Sequence, residues 1–377
     1  MATPSNGQTL QGLQIQGGAA IVAPITAFPN GVPPNALVVL PVQKLTDEVK
    51  AKLDEGPHAV TQEQLWQLLG FNGPAVQVQD EQGRPLMIGL EDLLGGLDKH
   101  FNEKPDDLGR GRIYAQELMK HARFQRAEQV LSKVVAKGGT GEDWLALGIC
   151  QLQQDKHDKA EGTLKGAQNL LKGNPYPSLH LAKLYKAKGD ADQERQMIDK
   201  ALETDADLVD AWAYLFTSLK DKNGEDAAVA EMEKLAADKK SSRPLVAVQA
   251  YYAGNEENRD KAIAIGKKAL EINADDILGL LAMSALYGQK GDLDSVVKLL
   301  QPHEAKMTRD VRLANNYFEA LFQSRQIDKV TKLLNALAQS QTQAVKEFAI
   351  QRSKLVAQFL QQQQQQIAGL AGAQKKA

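Results

Sequence analysis

Few residues of this chain are placed to do covalent chemistry. Its single cysteine, Cys150, excludes an intrachain disulfide and any cysteine-built zinc site. Cys150 follows Ile149 in a stretch of helical spacing, and no histidine is placed by sequence to activate it, so it reads as a buried, inert thiol. The histidines at 58, 100, 121, 157, 180 and 303 include no HxxxH or HxH pair to hold a metal. Adjacent carboxylates occur at Asp106-Asp107 and Asp275-Asp276, and both pairs fall where turns are expected, which makes them solvated loop charges. No GxxxxGK[ST] phosphate loop and no GxSxG elbow occurs. Gly7, Gly12, Gly17, Gly18 and Gly31 do not form GxGxxG. No catalytic, cofactor-binding or metal-ligating residue is assigned, no cofactor is expected, and the chain reads as non-enzymatic.

The elements that could position other kinds of site are bounded by composition. A chain of 377 residues with 43% hydrophobic and 24% charged side chains can fill two or three domains or one long repeat array. Aromatics at 5% are scarce for one large core. Lys and Arg number 45 against 47 Asp and Glu, a net charge of −2, which argues against a nucleic-acid partner because phosphates demand a basic excess. No run of about 20 apolar residues is present, so no membrane span is expected. The first charged side chain is Lys44, and prolines 24, 29, 33 and 34 break the uncharged start, unlike a secretory signal. A cytoplasmic protein is expected.

Proline divides the chain. Nine of the 14 prolines lie in residues 1–100, and proline is hostile to helix interiors. Residues 1–43 are expected to be a flexible uncharged arm, with β-prone strips at Ile21-Val22 and Ala36 to Val42. Residues 44–104 suggest a small α+β module. Thr61-Gln62-Glu63-Gln64 resembles a capping box ahead of Leu65, Trp66, Leu68 and Leu69. Ala75 to Gln79 alternates as a strand, Asp80 to Pro85 has turn chemistry, and Leu86 to Phe101 returns to helical spacing.

Beyond residue 104 the sequence repeats itself. Trp144 recurs as Trp212, 68 residues on; Leu147 recurs as Leu181 and Leu215 at steps of 34. Repeats starting at 108, 141, 175, 209, 243, 277 and 311 align three columns. The eighth holds Ala115, Gly148, Ala182, Phe216, Ala250, Ser284 and Phe318; the twentieth holds Ala127, Ala160, Glu194, Ala228, Ala262, Val296 and Val330. The twenty-fourth holds Leu131, Leu164, Ile198, Met232, Gly266, Leu300 and Leu334. Small residues in the first two columns allow two helices to approach closely, and the third fills the space between them. Gly189-Asp190, Gly224-Glu225 and Gly291-Asp292 mark the turns. Glu194 breaks its column and predicts a local splay. Pro302 predicts a stop or kink late in a second helix.

Residues 108–344 therefore resemble a tetratricopeptide-repeat array of seven repeats. The resemblance implies a mainly α, right-handed α-solenoid of helix-turn-helix units. A capping helix with the glutamine run 361–366 is expected over 345–366, and a disordered tail over 367–377.

The resemblance also implies a concave groove, lined by the first helices, that takes a partner peptide or protein. Its positions fall on Arg112 and Gln116 in repeat one, Ile149 and Leu152 in repeat two, and Tyr176, Lys183 and Lys186 in repeat three. Repeats four and five add Thr217, Lys220, Tyr251 and Asn255, and repeat seven adds Asn315. The carboxylate clamp of chaperone-binding relatives is not met, since Arg112, Gln116, Ala146 and Ile149 stand at its positions. Lys183, Lys186 and Lys220 suggest an acidic or C-terminal segment as ligand. The function so implied is an interaction scaffold or adaptor. The alternative is a structural or assembly subunit joined through the N-terminal arm. The oligomeric state stays open.

Overall fold

The computed structural model describes residues 12–16, 19–23, 36–37, 58–61, 74–79 and 85–374, and the chain divides into two compact units, Met1–Leu171 and Lys172–Ala377. In the first unit, β1 (Gly12–Gln16), β2 (Ala19–Ala23), β3 (Ala36–Leu37) and β4 (His58–Thr61) form an antiparallel sheet in the order β3-β1-β2-β4. The β-prone Ile21-Val22 strip lies in β2, which pairs with β4 from Ala19↔Thr61 to Val22↔His58. Thr61 closes β4; the helix expected after it, and the turn at 80–84, lie outside the described residues.

The alternation at Ala75 to Gln79 does make a strand, β5 (Ala75–Gln79), paired with β6 (Pro85–Gly89). Helical spacing from Leu86 is corrected here. Leu86 to Gly89 are strand, and helix α1 runs over Leu90–Glu103. A short apolar run satisfies either period; the hairpin register Val78↔Leu86 to Ala75↔Gly89 decides it. Leu90, Leu94 and Phe101 of α1 share a core with Tyr114, Ala115 and Leu118 of α2 (Leu108–Lys120) and with Val130 and Leu131 of α3 (Phe124–Ala136). Helices α4 (Gly141–Leu152) and α5 (His157–Leu170) complete the second repeat. There Gly148 admits Leu164: a Cβ on Gly148 would stand 2.6 Å from Leu164 Cδ2.

The second unit continues the helix pairs. They are α6 (Tyr176–Lys188) with α7 (Ala191–Thr204), α8 (Val209–Asn223) with α9 (Glu225–Lys239), and α10 (Arg243–Ala253) with α11 (Arg259–Ile272). Next come α12 (Ile277–Gln289) with α13 (Leu293–Leu300) and the short α14 (Glu304–Met307), then α15 (Val311–Gln323) with α16 (Ile327–Ala338). Helix α17 (Gln343–Gln374) closes the series. Seven helix pairs and a terminal helix agree with the repeat reading.

The turn chemistry is visible in the backbone. Gly189 and Gly291 have φ of 75° and 73°, and Asp190 and Asp292 then accept from the N–H groups of Gln193 and Ser295. Ala122, Asp155 and Arg325 hold the same turn position with φ of 56°, 56° and 59°, where the sequence carries no glycine. Pro302 acts as expected: α13 stops at Leu300 and a 3-10 turn covers Gln301–His303. Glu194 is buried in an α7 that runs unbroken.

Repeat five departs from the columns. Ala250, expected in the buried eighth column, is exposed, while Gln249 is fully buried. Gln249 holds the seventh position, buried as Leu181 and Leu215 are in the two preceding repeats, and here it is the side chain that lies against Gly266.

Candidate partner-binding face

The residues expected to line a groove divide between the two units, and many are already engaged. In the first unit, Arg112 forms a bidentate pair with Asp143, with Nε 2.9 Å from Oδ1 and Nη2 2.7 Å from Oδ2. Asp143 also accepts from the Thr140 N–H at 2.7 Å. Burial works to raise the Asp143 carboxyl, but Arg112 and Thr140 outweigh it and hold it below the usual carboxylate range. Arg112 thus locks α2 to the start of α4. Gln116 is exposed, and Ile149 and Leu152 are half-buried on α4.

In the second unit, helical spacing puts Lys183 and Lys186 on one side of α6. Their Nζ atoms both lie 5.9 Å from the centre of the Tyr214 ring on α8. Lys186 also pairs with Asp221 at 2.5 Å, and this pair holds the Asp221 carboxyl below its ordinary range. One helix further, Lys220 donates to the Tyr251 hydroxyl at 3.0 Å and sits 4.8 Å from that ring's centre. The hydrogen bond to Tyr251 raises the Lys220 ammonium and keeps it charged. Tyr251 meets Phe216 edge-on at 5.0 Å. Tyr176 and Tyr251 are each 40% exposed, large for aromatic side chains on packed helices. The Tyr176 hydroxyl lies 3.4 Å from Asp210 Oδ2.

The remaining candidates are committed locally. Thr217 donates to the Ala213 carbonyl of its own helix. Asn255 accepts from Glu257 N and starts a 3-10 turn. Asn315 accepts from Arg352 on α17 at 2.9 Å. The structure therefore groups Lys183 and Lys186 around Tyr214, and Lys220 with Tyr251. Tyr214 and Phe216 were missed in the sequence because neither stands at a groove position. The available signal was their spacing, one repeat beyond His180 and Ala182.

Burial pushes the Cys150 thiol up to about 12, with Glu128 adding to the effect, so the thiolate is absent at neutral pH. Among the described residues no group of three or more His, Cys, Asp or Glu could hold a metal ion, and no helix is long and apolar enough to cross a membrane.

No family model and no curated protein matches the chain. Solved structures similar to it include MamA, at 18% identity over 37% of this chain and 83% of that one, with a TM-score of 0.34. Yeast Tom70 is similar at 15% identity over 73% of this chain, with a TM-score of 0.36, and the chain spans 59% of that structure. YrrB, described as a TPR protein with an unusual peptide-binding site, is similar at 18% identity over 49% of this chain and 96% of that one, with a TM-score of 0.31.

Proposed function

We propose that the protein is a non-enzymatic interaction scaffold that docks an acidic segment of a partner protein on the first helices of repeats three to five. The observation that carries this reading is the pairing of tyrosines with lysines on successive first helices: Lys183 over the half-buried Tyr214, and Lys220 over the exposed Tyr251. An aromatic ring fixes the lysine stem and offers apolar surface, while the ammonium meets a carboxylate. Lys186 contributes less than its position suggests, because Asp221 already satisfies it.

The test is the double variant Lys183→Glu/Lys220→Glu, compared with the parent for capture of a defined partner. Lost binding with an unchanged helical spectrum and melting temperature supports the face. Unaltered affinity moves the site elsewhere.

A further inference from the structure

We propose that repeat five is a built-in opening point, at which α10 and α11 separate because the closed pair keeps a wholly unmet side-chain amide buried between them. Five observations converge on it. Gln249 is 0% exposed, and neither its Oε1 nor its Nε2 has a hydrogen-bond partner. A buried donor and acceptor left unmet both penalise the closed packing, and the open form hands both back to water.

The slot around that amide is tight. Gly266 stands where the other repeats carry Leu, Ile or Met, and a Cβ there would lie 2.3 Å from Gln249 Nε2 and 2.4 Å from Met283 Sδ. In repeat two the large apolar residue, Leu164, sits on the second helix and the glycine on the first. Repeat five reverses this arrangement and places a polar group in the gap. The interface so loses apolar burial as well as hydrogen bonds.

The backbone departs at the same place. Helix α10 has 11 residues, against 13 in α6, 15 in α8 and 13 in α12. A 3-10 turn at Glu256–Asn258 replaces the tight left-handed turn used in repeats three and six. Ala250 is turned out to solvent. The unmet amide lies within this one helix pair, and stability in a repeat array is a sum of local and nearest-neighbour terms, so opening stays local.

Hydrogen–deuterium exchange of the full chain, read by mass spectrometry, tests this. Amides of α10 and α11 should exchange about tenfold faster than those of α8 and of α15, the change expected from one unmet buried polar group. Gln249→Met keeps the volume and removes the amide, and should slow exchange in α10 and α11 by a similar factor. Gly266→Ala should accelerate it there. Exchange in α15 and α16 should not move in either variant. Protection of α10 and α11 equal to that of α8 in the parent overturns the proposal. So does a Gln249→Met variant whose exchange is unchanged or faster, or changes spread evenly over every helix. If Gly266→Ala fails to fold, Gln249→Met decides alone.

Discussion

Gly148 leaves its neighbours almost no slack. With Leu164 Cδ2 and Cγ 2.6 and 2.7 Å from the place of a Cβ, Gly148→Ala must push a buried leucine off its seat. The expected loss is about 1–3 kcal/mol in urea denaturation. Ala122 offers the opposite case. Its φ of 56° is left-handed, a conformation that costs about 1–2 kcal/mol for a residue with a Cβ. Ala122→Gly recovers that strain but gives back about 0.4–1 kcal/mol through a looser unfolded chain, so a net gain below about 1.5 kcal/mol is expected. His180 carries a pH signature. Burial, and then the charge of Lys183, push it from 6.5 down to about 4. Between those values the unfolded chain binds the proton and the folded chain does not. Stability should fall as pH drops from about 6.5 to about 4 and gain nothing from this group above 6.5. A melting series of His180→Gln should be flatter through that window; an identical slope would remove His180 as the cause.

Helix α17 shows how an array ends. Its Val345, Ala349 and Val356 are buried against repeat seven. Phe348 meets Phe318, Phe359 meets Phe322 at 5.2 Å, and Arg352 reaches Asn315 and Glu319. Deleting residues 343–377 should uncover this apolar surface, lower the melting temperature and raise binding of a hydrophobic dye. A dye signal equal to the parent's would mean that α17 is not the cap. The columns made the helix pairs legible, because a small residue against a large one is a pattern that sequence alone displays. Repeat five was not legible by the same rule. Its columns read Ala250 and Gly266, and only packing reveals that Ala250 turns outward while Gln249 fills the space beside Gly266.

In the molecule taken by its parts, circular dichroism should be dominated by helix, and successive removal of C-terminal repeats should weaken the second unit stepwise. Partner capture through Lys183 and Lys220 should fall as ionic strength rises, because screening acts over about 8 Å at physiological salt. A salt-independent affinity would favour the tyrosine faces over the ammonium groups as the source of binding. The two measurements separate the array, which apolar burial holds, from the proposed face, which charge serves.

Sequence by itself determined the period, the turns, the terminal helix and the absence of catalytic motifs, since each depends on residue type at a fixed spacing along the chain. Groove positions came instead from the resemblance to the repeat family, which implies fixed lining places on each first helix. Tertiary structure decided which of those residues are available. Arg112 is spent on Asp143, Lys186 on Asp221 and Asn315 on Arg352, all partners about one repeat away. It also decided that Lys183 and Lys220 stand over tyrosine rings, and that Gln249 fills the slot beside Gly266. Such contacts join side chains on different helices, and their geometry follows from how closely neighbouring helices pack, which the periodicity of one helix cannot specify.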